Sequence, residues 1–213
     1  YAWAVTFRYY FEDGNLDGWR QDFPNEPEPT LWKIVDGELE CTRQDSQSTV
    51  LMTGDFTWKD YTIEYDVKLL KDFGSGDVDI IARYTGWDSQ GMLFGFGDFL
   101  GNPATFLQRW PEALDLEVPF DSLKLNEWHH LKLEAQGKEF TFWVNGKKAL
   151  EHRENVVKAG AVGIGLANYT SRFDNVEISC PDVPDVTPPT WKVRPVQPRD
   201  KLATMWGAIK QGR

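Results

Sequence analysis

The residues best suited to chemistry on a small ligand are Arg83, Tyr84 and Trp87, in the run ARYTGW, together with Gln108, Arg109 and Trp110 in QRWP. Sugar recognition needs an aromatic face for the C–H side of a ring and planar polar groups for paired hydroxyls, and this set supplies both. The same residues would also serve a plainer purpose, with Tyr84 and Trp87 covering a core edge and Arg109 paired with one of the chain's many acids. His129 and His130 are adjacent, so on a strand they point to opposite faces and do not easily hold one metal together. His152 stands alone. The two cysteines, Cys41 and Cys180, match neither a metal cluster nor a CxxC motif. They read either as a long-range disulfide or as two buried free thiols.

The elements that must position these groups are strands. Trp128 to Leu150, WHHLKLEAQGKEFTFWVNGKKAL, alternates apolar and polar residues on both sides of a Gly-containing reversal and ends on Asn145-Gly146, the pair favoured in two-residue hairpin turns. Tyr61 to Leu69 alternates cleanly, Asp77 to Tyr84 and Gly91 to Gly97 read as further strands, and Ala161 to Leu166 and Phe173 to Ser179 as the last two. Tyr1 to Phe11 reads as a long strand with one continuous apolar side, and Phe99 to Phe120 as the least regular stretch. No sustained helical period occurs before residue 199, so the fold class is all-β, with one sandwich over residues 1–180.

Residues 181–198 form a Pro-rich, extended linker. Residues 199–213 form a short tail in which Leu202, Met205, Trp206 and Ile209 fall at helical spacing. With Trp191, these make an apolar surface suited to subunit contacts. Residues 181–213 carry six Lys and Arg against three Asp, net +3, which leaves −13 on residues 1–180 of a chain whose total is −10. The tail is therefore attracted to acidic surface and expected to dock. A strongly acidic body excludes phosphate-backbone recognition, so no nucleic-acid partner is expected. No run of ~18 apolar residues is present to span a membrane, and no secretory signal pattern remains, so any such signal is already removed or was never there.

Several motifs together resemble the concanavalin A-like jelly-roll β-sandwiches, and among them the laminin-G-like modules and 3-keto-disaccharide hydrolase-type domains. They are FEDGNLDGW (Phe11 to Trp19), the W-x-I-x-DGEL hairpin (Trp32 to Leu39), WKDYTIEYDVKL (Trp58 to Leu69), DIIARY (Asp79 to Tyr84), EWHHLKLEAQG (Glu127 to Gly137), FWVNGKKAL (Phe142 to Leu150), AGAVGIG (Ala159 to Gly165) and FDNVEI (Phe173 to Ile178). The resemblance covers residues 7 to 180. It implies a structural calcium held by Glu12 and Asp174, with carbonyls near Gly14 and Asn15 and with Asp17 as an extra ligand. An acidic turn making its own hydrogen bonds is the alternative. The retaining-glucanase pattern of this fold, Glu-x-Asp-x-x-Glu on one strand face, is broken here: Glu64 and Asp66 are present but the third position is Leu69.

Three functions follow as expectations. The first is a secreted or cell-surface, non-catalytic module binding a glycan or polysaccharide. The second is a structural subunit that forms a homo-oligomer or filament through the first strand and the tail. The third is a glycoside-active enzyme of the keto-disaccharide type using carboxylates among Glu64, Asp66, Asp79 and Asp98.

Overall fold

The structure is a computed structural model that describes residues 5–21, 31–86, 90–98, 102–110 and 114–181. Its elements are strands in the order β1 (Val5–Tyr9), β2 (Arg20–Gln21), β3 (Trp32–Val35), β4 (Glu38–Thr42), β5 (Thr49–Thr53), β6 (Tyr61–Tyr84), β7 (Gly91–Gly97), β8 (Ala104–Trp110), β9 (Leu114–Pro119), β10 (Trp128–Gln136), β11 (Glu139–Val144), β12 (Lys147–Arg153) and β13 (Ala161–Cys180). Among the described residues there is no helix, and so none long and apolar enough to cross a membrane.

Two long strands build the sandwich. β6 and β13 run antiparallel to each other through both layers, and each replaces what the sequence reads as two separate strands. The first half of β6 and the second half of β13 form the centre of one sheet, sheet A, with β10, β11 and β12 beyond β6 and with β1, β4 and β3 beyond β13. The other halves centre sheet B, in the order β9-β8-β7-β6-β13-β5-β2. The chain passes between layers where the pairing register slips, near Tyr169 to Ser171, beside the left-handed residues Asn168 and Gly74.

Alternation decides which side chains meet between the sheets. Ile63, Tyr65, Val67, Leu131, Leu133, Phe140, Phe142 and Phe173 from sheet A face Val78, Ile80, Phe94, Phe96, Leu107, Val162 and Ile164 from sheet B, all buried in one cluster. The Tyr65 hydroxyl ties the layers by donating to the Asp79 carbonyl at 2.9 Å. The Asn145-Gly146 turn has positive φ at both residues, 50° and 74°, as its sequence requires.

Some expectations change. The stretch read as irregular contains the β8–β9 hairpin; Arg109-Trp110-Pro111 in its middle hides the alternation from a sequence reading. β1 is described only from Val5, and Phe11 already turns away with φ 56°. The linker and the tail residues Trp191, Leu202, Met205, Trp206 and Ile209 lie outside the described residues. Cys41 and Cys180 are both free and buried, which corrects the disulfide reading. Cys41 pairs in register with Ser171, nine residues before Cys180 on the same strand. That separation is roughly 25–30 Å, far beyond the ~7 Å limit for a bridge.

Candidate functional site

The outer face of sheet B carries the most unusual chemistry of the molecule. On β6, Asp77, Asp79 and Ile81 point outward while Val78 and Ile80 point into the core. Asp77 and Asp79 are 2 % and 0 % exposed. Asp79 is flanked in register by Gly95 on β7 and Gly165 on β13, so no side chain rises beside it from either neighbouring strand. A Cβ at Gly165 would lie 2.7 Å from Asp79 Oδ2, and one at Gly95 would run into the Phe106 ring at 2.1 Å. Glycine is thus the condition for the carboxyl and the ring to lie down on the sheet. Val50, Met52, Ile81, Tyr84, Leu93, Phe106 and Ala161 close around them as a second apolar cluster.

The two carboxyl groups are buried on one strand face, two residues apart, and each acts on the ionisation of the other. The Ser48 hydroxyl donates to Asp77 Oδ1 at 3.3 Å. Among the described residues no donor meets either Asp79 oxygen in good hydrogen-bond geometry, although the Ser48 hydroxyl also opposes the rise of Asp79. Burial, and then the charge of Asp77, push the Asp79 carboxyl well above the usual range. Burial raises Asp77 as well, with the Ser48 bond opposing it. Two ionised carboxylates are not held together in a dry site, so the pair shares a proton. The stronger rise of Asp79 and the well-formed Ser48 bond to Asp77 favour the proton on Asp79 and the charge on Asp77.

The six residues read as a sugar site are not brought together. Arg83 is a correction: its side chain is 1 % exposed, and its guanidinium donates to the carbonyls of Lys59 (3.0 Å), Val157 (3.0 Å) and Gly137 (2.8 Å) over the Phe140 ring. Its left-handed φ of 49° turns inward a side chain that strict alternation would send outward. Tyr84 is buried in the second apolar cluster. Arg109 shares the inward side of β8 with Leu107 and pairs with Glu154 at 3.5 Å. Gln108 does face outward, level with Leu93. Trp110 pairs with Gly91 at the strand end, and Trp87 lies outside the described residues.

The other expected carboxylates divide. Glu64 and Asp66 stand on the outer face of sheet A, where His130 Nδ1 lies 2.8 Å from Asp66 and Asn175 donates to it at 2.8 Å. The hydrogen bond to His130 holds Asp66 below the usual carboxylate range and the same bond raises His130. Both side chains are about one third exposed, at 32 % for Glu64 and 30 % for Asp66. Asp98 lies at one end of the sandwich, accepting from the Gly76 amide and the Tyr169 hydroxyl beside a cavity of about 170 Å³. His129 is buried against the Lys124 backbone. His152 lies 3.8 Å from Glu154.

In the FEDGNLDG turn, Asp13 Oδ1 accepts from the Asn15 amide and Asn15 Oδ1 from the Asp17 amide, while the Gly14 amide donates to the Phe11 carbonyl. Glu12 is exposed and Asp174 half-buried. Burial raises the Tyr10 phenol; the Arg8 charge opposes that rise, and the charges of Glu177, Glu12 and Asp174 add to it. Among the described residues no three His, Cys, Asp or Glu converge as a metal site.

Of the acid pair, the sequence reading found Asp79 but not Asp77. The available signal was DVDI, two acids on one face of a strand whose other face is wholly apolar.

Comparison with known proteins agrees with this architecture. The chain is 24 % identical over 162 residues to a levanase of Bacillus subtilis (strain 168), covering 69 % of this chain and 22 % of that protein. The fold is shared with a carbohydrate-binding module from Bacillus subtilis, at TM-score 0.60 and 18 % identity over 76 % of this chain and 96 % of that one. It is shared also with a Bacillus subtilis protein of galectin-like fold, at TM-score 0.63 and 14 % identity over 84 % of this chain and 98 % of that one. A family model described as a 3-keto-alpha-glucoside-1,2-lyase-like domain matches residues 6–179, nearly all of the sandwich, and the chain belongs to that family.

Proposed function

We propose that this domain is carbohydrate-directed and holds its sugar on the outer face of sheet B. The observation that carries the reading is the buried Asp77–Asp79 pair, set on glycine-flanked backbone beside the Phe106 ring, with Gln108 on the same face. Gln108, partly exposed on the outward side of β8, is the group a sugar hydroxyl would meet first, and the buried carboxyls and Phe106 ring lie on the same face of the sheet. Membership of a glycoside-directed family and the shared fold of a carbohydrate-binding module support the assignment. Titration calorimetry against a panel of α-glucosides and fructans should find a ligand whose affinity falls about tenfold or more in Gln108→Ala, the size of one or two lost hydrogen bonds. Arg109→Ala, on the opposite side of the strand, should bind unchanged. Equal loss in both variants would move the site elsewhere.

We also propose a structural calcium between Glu12 and Asp174. The charges of Glu12 and Asp174 both reach the Tyr10 phenol, which supports it, and turn carbonyls near Gly14 and Asn15, with Asp17, would complete the oxygen shell. Added calcium should raise the melting temperature, and Asp174→Asn should abolish that rise. A melting temperature indifferent to calcium and to chelator would contradict it.

A further inference from the structure

We infer that the outer face of sheet B is the docking surface for the C-terminal segment of the same chain, residues 199–213. The docking rests on the face itself and not on the sugar reading. Together with that reading, it makes the segment a competitor of the sugar.

The face is built to be covered. In sheet A, buried and half-buried positions alternate from Tyr61 to Leu70, the pattern of a sheet with one wet side. In sheet B every position of β5 and of β7 is buried. The outward side chains of Val50, Met52, Ile81, Leu93 and Phe106 are each 4 % exposed or less. A sheet that is apolar and dry on both faces is packed on both faces. Yet every described strand belongs to sheet A or sheet B, so none lies over this face. Along β13 the outward positions are Ala161, Gly163, Gly165 and Ala167, and Met52 and Asp79 lean over the two glycines. The floor is therefore level and apolar, the shape that receives the side of a helix.

Of the stretches outside the described residues, one has the matching chemistry. Residues 87–89, 99–101 and 111–113 are short connections between strands. Residues 22–30 carry Asp22, Glu26 and Glu28 and no Lys or Arg, the wrong charge for an acidic body. Residues 199–213 carry four Lys and Arg against one Asp, and Leu202, Met205, Trp206 and Ile209 share one helical face. Lys201 and Lys210 border that stripe, where their stems cover apolar surface while their charges stay in water. A helix over residues 199–210 is ~18 Å long, close to the ~23 Å of the seven-residue β7. Charge agrees as well, since a segment of net +3 lies on a body of −13.

The chain also leaves β13 at the right end. Ser179 pairs with Thr62, and the neighbouring Tyr61 hydroxyl accepts from the Arg83 amide at 2.6 Å. Cys180 thus ends sheet A at the same end of the sandwich as Tyr84 and Ala161, where the apolar floor begins. The linker, residues 181–198, reaches about 55 Å when extended at ~3.1 Å per residue, whereas the sheets pack only about 10 Å apart.

The test places a nitroxide on the full chain at Thr204→Cys, opposite the apolar stripe; the native cysteines are buried. In ¹⁵N spectra the label should erase the amide signals of Leu93, Gly95, Phe106 and Gly165 and spare Lys132 and Glu134 of sheet A. Adding Trp206→Asp, which puts a charge on the stripe, should restore the erased signals while those of sheet A stay in place. Intact sheet B signals in the labelled chain would overturn the inference. Equal loss in an unlabelled ¹⁵N chain mixed with spin-labelled chain would overturn it too, because the cover would then come from a second copy. Calorimetry with the α-glucoside and fructan panel separates this inference from the sugar reading. A sugar bound more tightly by Trp206→Asp than by the intact chain supports both. A sugar bound equally by the two proteins overturns the competition, and no sugar bound by either, with the signal loss intact, overturns the sugar reading and leaves the docking.

Discussion

Replacing Arg83 with methionine is expected to lower the unfolding free energy by roughly 3–5 kcal/mol, because it removes a buried charge on which three backbone carbonyls depend. Those carbonyls belong to Lys59 before β6, to Gly137 in the β10–β11 turn and to Val157 after β12, so one side chain fastens three loops at one end of the sandwich. Methionine keeps much of the stem's packing on Phe140 but supplies no donor. Arg83→Lys should fall between the two, since an ammonium reaches fewer of the three carbonyls than a planar fork does. Urea unfolding of the three proteins measures the series. A loss below about 1 kcal/mol in Arg83→Met would mean that water replaces the guanidinium readily and that the side chain is no keystone.

The second large effect concerns pH. Both carboxyls of the acid pair are raised in the folded chain, Asp77 to about 6 and Asp79 well above its ordinary value, whereas the unfolded chain titrates them near 3.8. The folded state therefore binds more protons than the unfolded state above pH 4, and the pair's contribution to stability falls as pH rises through 6. The slope approaches about 1.4 kcal/mol per pH unit for each proton held only by the folded chain. Asp79→Asn preserves the shape and removes the need for the second proton. It should be more stable than wild type at pH 8 by roughly 1–3 kcal/mol, with the advantage shrinking toward pH 5. A constant difference across that range would show that the pair does not hold a proton at neutral pH.

These two predictions also mark what the sequence could disclose. Alternation in Tyr61 to Leu69 and Trp128 to Val144 was legible because each of these strands has one dry face and one wet face. The β8–β9 hairpin was not, because Arg109 is turned inward to an acid partner and breaks the apolar pattern. Arg83 was misread for a related reason. Its parity along β6 points outward, and only the left-handed backbone there, packed against Gly160, sends it between the sheets. Asp77 escaped notice because a carboxylate on a strand normally faces water. Its burial depends on β5, β7 and β13 meeting around it, a long-range arrangement that local spacing does not encode. Cys41 and Cys180 were ambiguous for the same reason until the register of β4 on β13 separated them.

The most direct measurement is the carboxyl-carbon NMR titration of the protein labelled with ¹³C at aspartate side chains, assigned with Asp77→Asn and Asp79→Asn. One resonance of the pair should titrate well above the ordinary aspartate range while its partner responds to the same transition, and removing either residue should return the other toward that range. Two independent titrations near pH 4 would contradict the shared proton, and with it the buried acid pair on which the reading of this face rests.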